Sequence, residues 1–184
     1  FPVRFTTQPH DGFRLARVRN NAARLAGGEY LLFVDGDCIL PRHHLEAHHR
    51  RRRPGVALLG FCGRLTEEAS RLLMPENLSV TNLATLVTHH ETRLLARRHR
   101  RARWHALFRH PNKPRLAGGD FGLWRRDFEA VNGFDERFVG WGQEDDDLGL
   151  RLRAAGIRLE SVLDLTCSLH VWHPQTRQRH PGGE

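Results

Sequence analysis

The sequence predicts an α/β domain in which short buried strands alternate with helices. Three observations predict it. An apolar run, Tyr30 to Val34, stops abruptly at Asp35-Gly36-Asp37. Before it, Leu15, Val18, Ala22 and Leu25 recur at helical spacing and end at Gly27-Gly28. After it, a helix over Pro41 to Arg53 leads to a second apolar run, Gly55 to Gly63. This alternation argues for a largely parallel sheet. Ligands of such sheets gather outside the carboxyl ends of the strands, which is where Asp35 and Asp37 fall.

The 184 residues suit one core and one domain, expected over 1–174, with a disordered tail at 175–184. Hydrophobic residues are 39% and charged residues 27%, a soluble globular balance, and no apolar run approaches the ~20 residues of a membrane span. The formal net charge of +8 favours anionic partners (nucleotide phosphates, acidic glycans, anionic lipid or nucleic acid) without choosing among them. Cys38, Cys62 and Cys167 are odd in number and widely spaced, which fits a reducing cytoplasm better than a disulfide framework.

In chain order, Val3 to Thr7 reads as a short strand before the turn Gln8-Pro9-His10-Asp11-Gly12. Phe13 to Ala26 is the first helix. Arg14, Arg17, Arg19 and Asn20 lie in its first half, where they either reach a diphosphate or form a solvated face. The turn after Val34 presents two carboxylates around Gly36. Carboxylates this close repel one another unless a cation lies between them, and Mg²⁺ or Mn²⁺ suits such oxygens. An ordinary surface turn has the same composition. The next helix carries His43, His44, His48 and His49. His44 and His48, four apart, have the spacing to share a metal, but the His-Leu-Glu-Ala-His order is not the His-Glu-x-x-His of zinc proteases, and exposed histidines are expected.

Residues 66–112 read as a helical, increasingly basic insertion that closes at Pro111-Asn112-Lys113-Pro114. Its extreme, 93–108, has the charge for an anionic membrane surface, for nucleic acid, or for plain solvation.

The second half changes style. Gly118-Gly119-Asp120 permits close backbone approach to a ligand, and Phe121 to Trp124 forms a strand. Asn132-Gly133-Phe134-Asp135-Glu136 is a turn. Gly140-Trp141-Gly142-Gln143 then leads into Glu144-Asp145-Asp146-Asp147, which opens a helix to about Ala155. The helix dipole favours acids in a first turn, which accounts for one or two of the four. An aromatic ring beside a carboxylate also suits a sugar. Ile157 to Leu159 is a short strand, and Leu163 to Val171 leads into His170-Val171-Trp172-His173, where a histidine ending a strand is a further metal ligand or a structural residue.

Taken in order, Asp-Gly-Asp, Gly-Gly-Asp, Asn-Gly-Phe-Asp-Glu, Gly-Trp-Gly-Gln-Glu-Asp-Asp-Asp and a late histidine resemble the inverting nucleotide-sugar glycosyltransferases. The resemblance is to glycosyltransferase family 2 and to the galactosyltransferase-like C-terminal region shared with bacterial chondroitin polymerases. It covers about Gln8 to Pro174, and Gly-Trp-Gly-x-Glu-Asp is its most specific part.

This resemblance implies a GT-A fold, a Rossmann-like mixed sheet flanked by helices. It also implies a UDP-sugar donor, Mn²⁺ or Mg²⁺, and a glycan or lipid-linked glycan acceptor in envelope or capsular polysaccharide synthesis. Asp37 would bind the metal, with Asp35 nearer the ribose and the metal shell. His170 is the favoured late metal ligand and His173 the alternative. Asp145 falls on the general base, and Trp141, Gly142 and Glu144 on the acceptor side. Arg14, Arg19, Asn20, Gly118 and Gly119 complete the expected donor site. Family members begin with a further strand–turn–helix unit, so an N-terminally shortened domain is expected.

The chemistry is consistent with this assignment. Inversion needs one base to take the acceptor's proton as its oxygen attacks C1 opposite the UDP, and no covalent nucleophile. The competing readings are a non-catalytic nucleotide-sugar or carbohydrate-binding remnant and a basic nucleic-acid binder, and the latter leaves both acidic motifs unexplained. The expected setting is the cytoplasm, with peripheral contact to anionic membrane through 93–108 and no nucleic-acid partner.

Overall fold

The computed structural model describes residues 2–73, 82–140 and 142–174. The expected tail at 175–184 and Trp141 lie outside the described residues. The first half runs α1 (Leu15–Leu25), β1 (Tyr30–Val34), β2 (Cys38–Ile39), α2 (His44–Arg51), β3 (Val56–Leu59), β4 (Cys62–Arg64) and α3 (Glu67–Arg71). A 3₁₀ turn at Leu83–Leu86 leads to the long helix α4 (His89–Leu107). The second half adds β5 (Asp120–Trp124), α5 (Arg125–Ala130), α6 (Glu144–Ala154), β6 (Arg158–Ser161) and β7 (Ser168–His170).

The main sheet has the order β1-β5-β3-β6. It is mixed rather than largely parallel. Strand β5 enters between β1 and β3 and runs antiparallel to both, while β3 and β6 are parallel. The first half alone predicts parallel strands because β5 arrives only after the long helical segment and takes an inner position. Its residues Asp120, Phe121, Gly122 and Leu123 are all buried. The small sheet β2-β7-β4 joins the turn after β1 to the end of the chain. The run at 55–63 is thus two strands in two sheets, broken at Gly60-Phe61.

No strand forms at 3–7. Val3 and Phe5 are 92% and 86% exposed, so the apolar side chains there pack against nothing that would hold a ladder.

The core is built on phenylalanines. Phe33 of β1 stacks on Phe121 of β5 with ring centroids 4.7 Å apart, and meets Phe128 of α5 at 5.4 Å and Phe134 edge-on at 5.7 Å. The Asn-Gly-Phe-Asp-Glu motif therefore places Phe134, 2% exposed, in the core. Burying one such ring stabilises the fold by about 1.5–3 kcal/mol. Leu148 and Leu152 on one face of α6 pack into the same cluster.

The histidines of α2 correct the expectation of an exposed set. His44 is 0% and His48 1% exposed, because they share the helix face that packs inward with Ala47. Burial pushes the His48 imidazole down to about 4.

Helix α4 is capped by Thr88, whose hydroxyl accepts from the Glu91 amide at 3.1 Å. It packs on β6 and β4 and buries Ala102 and Glu91. Its far end exposes Trp104, Leu107 and Phe108, and the Trp104 and Phe108 rings stack 5.3 Å apart. No helix among the described residues is long and apolar enough to cross a membrane.

Candidate functional site

The small sheet creates the first convergence of chemistry. Strand β1 delivers Asp35-Gly36-Asp37, and β2 then pairs antiparallel with β7, setting Cys38 opposite His170. The Val171 amide donates to the Asp37 carbonyl at 2.9 Å, which fixes the turn against the C-terminal segment. The Asp37 Oδ2 lies 3.2 Å from His170 Nε2 and 3.4 Å from His173 Nε2. These three ligand atoms all lie within 4.8 Å of one another on a partly exposed surface. One carboxylate and two imidazoles form a donor set suited to Mn²⁺, while Mg²⁺ prefers all-oxygen coordination. The sequence left His170 and His173 as alternatives, and the fold brings both to Asp37.

Asp35 belongs to a different set. Its Oδ1 accepts from Arg19 Nη2 at 2.7 Å, while Arg19 Nη1 reaches Glu144 at 3.2 Å and Nη2 also donates to the Gly118 carbonyl at 3.0 Å. Arg19, projecting from α1, is 7% exposed and lies 5.3 Å above the Phe134 ring centroid. Glu144 is 5% exposed, and burial pushes its carboxyl above the usual range, with the nearby Asp145 charge adding to the shift and Arg19 opposing it. Its Oε2 has no hydrogen-bond partner among the described residues.

Gly118 and Gly119 serve this network. A Cβ on Gly118 would sit 2.7 Å from Arg19 Nη1, and one on Gly119 would sit 2.9 Å from Cys62 Sγ. Close approach is thus required by neighbouring protein side chains. The Asp35 amide donates to the Gly119 carbonyl at 3.1 Å, and the Gly118 amide donates to Asp145 Oδ2 at 3.0 Å. One connected path therefore runs from the Asp35 turn through the Gly-Gly segment to Asp145.

Each of the four acids opening α6 has its own partners. Glu144 meets Arg19, and Asp145 accepts from the Gly118 and Asp146 amides. Asp146 pairs with Arg115 at 3.1 Å, and Asp147 with Arg151 at 2.7 Å. Gly140 and Gly142 have φ of 95° and 90°, and the helix starts at Gln143 with φ 75°. The Gly140 amide is held by the Phe13 carbonyl at 2.9 Å. This left-handed entry explains the glycines of Gly-Trp-Gly.

Two expected donor residues lie elsewhere. Arg14 pairs with Asp11 at 2.8 Å on the surface. Asn20 uses its amide inside the protein. Its nitrogen donates to the Phe134 carbonyl and to Glu136 Oε1, both at 2.9 Å, and its oxygen accepts from the Phe134 amide at 2.9 Å. This hydrogen bond from Asn20 is the main reason the Glu136 carboxyl lies below its usual range. Both side chains thus have partners within the protein, which a polar helical position does not by itself reveal.

The sequence also missed two groupings. Cys38 and Cys62 are free thiols whose sulfurs stand 3.5 Å apart, although 24 positions separate them. Asp120, 0% exposed, lies against His44 and His48. The four-residue histidine spacing was the available signal for that cluster, and what it lacked was the strand that supplies Asp120.

Comparison with known proteins fits this geometry. Residues 98–174 match the family model described as the N-terminal domain of galactosyltransferase, a stretch that holds the Gly-Gly segment, the α6 acids and both late histidines. A validoxylamine A glucosyltransferase of Streptomyces hygroscopicus subsp. jinggangensis is 31% identical over 175 residues, covering 84% of this chain and 39% of that protein. The chain has glycosyltransferase relatives. A β-1,4-galactosyltransferase 5 of Danio rerio is 48% identical over 42 residues, 23% of this chain and 11% of that protein. The crystal structure of GalNAc-T7 with UDP, GalNAc and Mn²⁺ superposes with a TM-score of 0.57 at 15% identity, covering 91% of this chain and 32% of that one. That likeness shows the fold, a mixed α/β sheet flanked by helices. The chain spans well under half the length of these relatives.

Proposed function

We propose that the chain performs metal-dependent, inverting transfer of a sugar from a UDP-sugar to a glycan or lipid-linked glycan hydroxyl on a GT-A scaffold of the family 2 kind. One observation carries this reading: the fold brings Asp37, His170 and His173 together and ties the adjacent Asp35 turn, through Arg19 and Gly118, to Asp145. A cation site and a carboxylate base thus share one framework.

Asp37, His170 and His173 would hold Mn²⁺, which when bound offsets the charge gathering on the departing diphosphate. Asp145 takes the proton of the acceptor hydroxyl as its oxygen attacks C1. Two backbone amides hold the Asp145 carboxylate in one orientation, which sets the direction of proton removal. Arg19 keeps Asp35 and Glu144 apart and charge-compensated, and Glu144 is assigned to the acceptor side beside Asp145. Trp141 is assigned to the acceptor sugar's apolar face. The exposed Trp104, Leu107 and Phe108 beside the arginines of α4 support contact with an anionic membrane, which suits a lipid-linked acceptor and a cytoplasmic site of action.

The test is UDP release from a panel of UDP-sugars with Mn²⁺ and oligosaccharide acceptors. Acceptor-stimulated release by the wild-type chain that is lost in Asp145→Asn supports the reading. Binding of UDP without turnover on any acceptor would leave a nucleotide-sugar-binding domain instead.

A further inference from the structure

Behind the Gly-Gly segment lies a second three-ligand cluster, entirely buried. His44 Nε2 stands 3.3 Å and His48 Nε2 3.7 Å from Asp120 Oδ1, and the three ligand atoms lie within 4.8 Å of one another. Zinc bonded to nitrogen and oxygen at about 2.0–2.2 Å in tetrahedral geometry has ligand–ligand edges of about 3.4 Å. The two distances match those edges.

The polar atoms are otherwise stranded. His44 Nε2, both ring nitrogens of His48 and both Asp120 oxygens lack a hydrogen-bond partner among the described residues. A fully buried carboxylate without donors is costly and rare in a native interior. His44 also has the outer contact of a metal ligand. Its Nδ1 is 2.9 Å from Thr166 Oγ1, which fixes the ring and leaves Nε2 free to point at Asp120.

The surroundings are shaped for this cluster. A Cβ on Gly60 would stand 2.2 Å from the Asp120 carboxyl carbon. One on Gly122 would stand 2.9 Å from His48 Nδ1 and 2.5 Å from the buried Tyr30 hydroxyl, which has no hydrogen-bond partner among the described residues. Glycines on two neighbouring segments thus open the space the carboxylate and imidazole occupy.

We propose that His44, His48 and Asp120 bind a structural zinc ion that fastens α2 to the start of β5 beneath the Asp35 turn. This site is separate from the Asp37 group and does not depend on the transfer reading. Because all three side chains are buried, the metal enters as the chain folds.

The test uses the untagged chain carrying His170→Ala and His173→Ala, which removes the other three-ligand group. It is unfolded in chelator, refolded with Co²⁺ and desalted. The expected result is one cobalt per chain with the visible spectrum of a tetrahedral nitrogen–oxygen site, displaced by zinc on a second refolding. Adding Asp120→Asn removes the spectrum. A refolded chain that is native without metal would overturn the proposal and leave a metal-free buried His–Asp cluster. A thiolate-to-cobalt absorption band would overturn it as well, by assigning the metal to Cys38 and Cys62. Metal content and spectrum of the double variant decide the matter even where Asp120→Asn does not fold. Neither readout depends on UDP.

Discussion

Arg19 and Glu144 meet at 3.2 Å although 125 positions separate them. The other arm of the guanidinium holds Asp35 at 2.7 Å. One buried cation thus joins the first helix, the acidic turn after β1 and the acidic start of α6. Removing it leaves Glu144 buried without a counter-charge, which typically costs about 3–5 kcal/mol. Arg19→Met should lower stability in urea unfolding by about that much, while Arg14→Met, on the exposed Asp11 pair, should change it by about 1 kcal/mol or less.

The pH dependence follows from Glu144. Its folded-state value is raised by burial above the ordinary 4.5, so the protonated form is the one the fold favours. Its contribution is fully present below its unfolded value and is lost as pH rises through the elevated folded value. Glu144→Gln should therefore gain stability relative to wild type as pH rises above the ordinary carboxylate range. Urea midpoints measured across that rise check the sign, and an unchanged difference would contradict it.

Asn20 is a structural pin. Asn20→Leu should strand the Phe134 amide and carbonyl and cost about 1–3 kcal/mol, while any UDP affinity of the folded variant stays near wild type. Thermal unfolding combined with UDP titration separates the two effects.

The exposed end of α4 makes a separable prediction. Trp104→Ser with Phe108→Ser should reduce co-sedimentation with anionic phospholipid vesicles several-fold and leave thermal stability nearly unchanged, since both rings are more than half exposed. Equal binding by wild type and variant would remove the membrane contact.

Much of this architecture was legible locally. Tyr30–Val34, the first helix, the end of α6 near Ala155 and the strand at 121–124 follow from periodicity and glycine punctuation. What periodicity could not show was direction and partnership. Strand β5 runs antiparallel because of where a distant segment inserts. Asn20 and Arg19 look alike as polar positions on one helix, yet one fastens the Phe134 turn and the other bridges Asp35 to Glu144. His44 and His48 looked exposed on a basic helix because Asp120 lies more than 70 positions away. The late histidines were visible as candidates, but that both meet Asp37 depends on the β2–β7 register.

The Asp145 assignment predicts a split between binding and turnover. Asp145→Asn preserves the side-chain shape and its contact with Gly118, so UDP affinity should stay near wild type while kcat falls by about 10²–10⁴-fold. Steady-state kinetics beside UDP titration measures both.

The central claim, that Asp37, His170 and His173 form the cation site for a nucleoside diphosphate, is tested most directly by calorimetric titration of UDP with and without Mn²⁺. The account predicts Mn²⁺-dependent binding that Asp37→Ala abolishes and that His170→Ala and His173→Ala each weaken by about tenfold or more. A well-folded wild-type chain that binds no UDP, or binds it equally without Mn²⁺ and with Asp37→Ala, would contradict it.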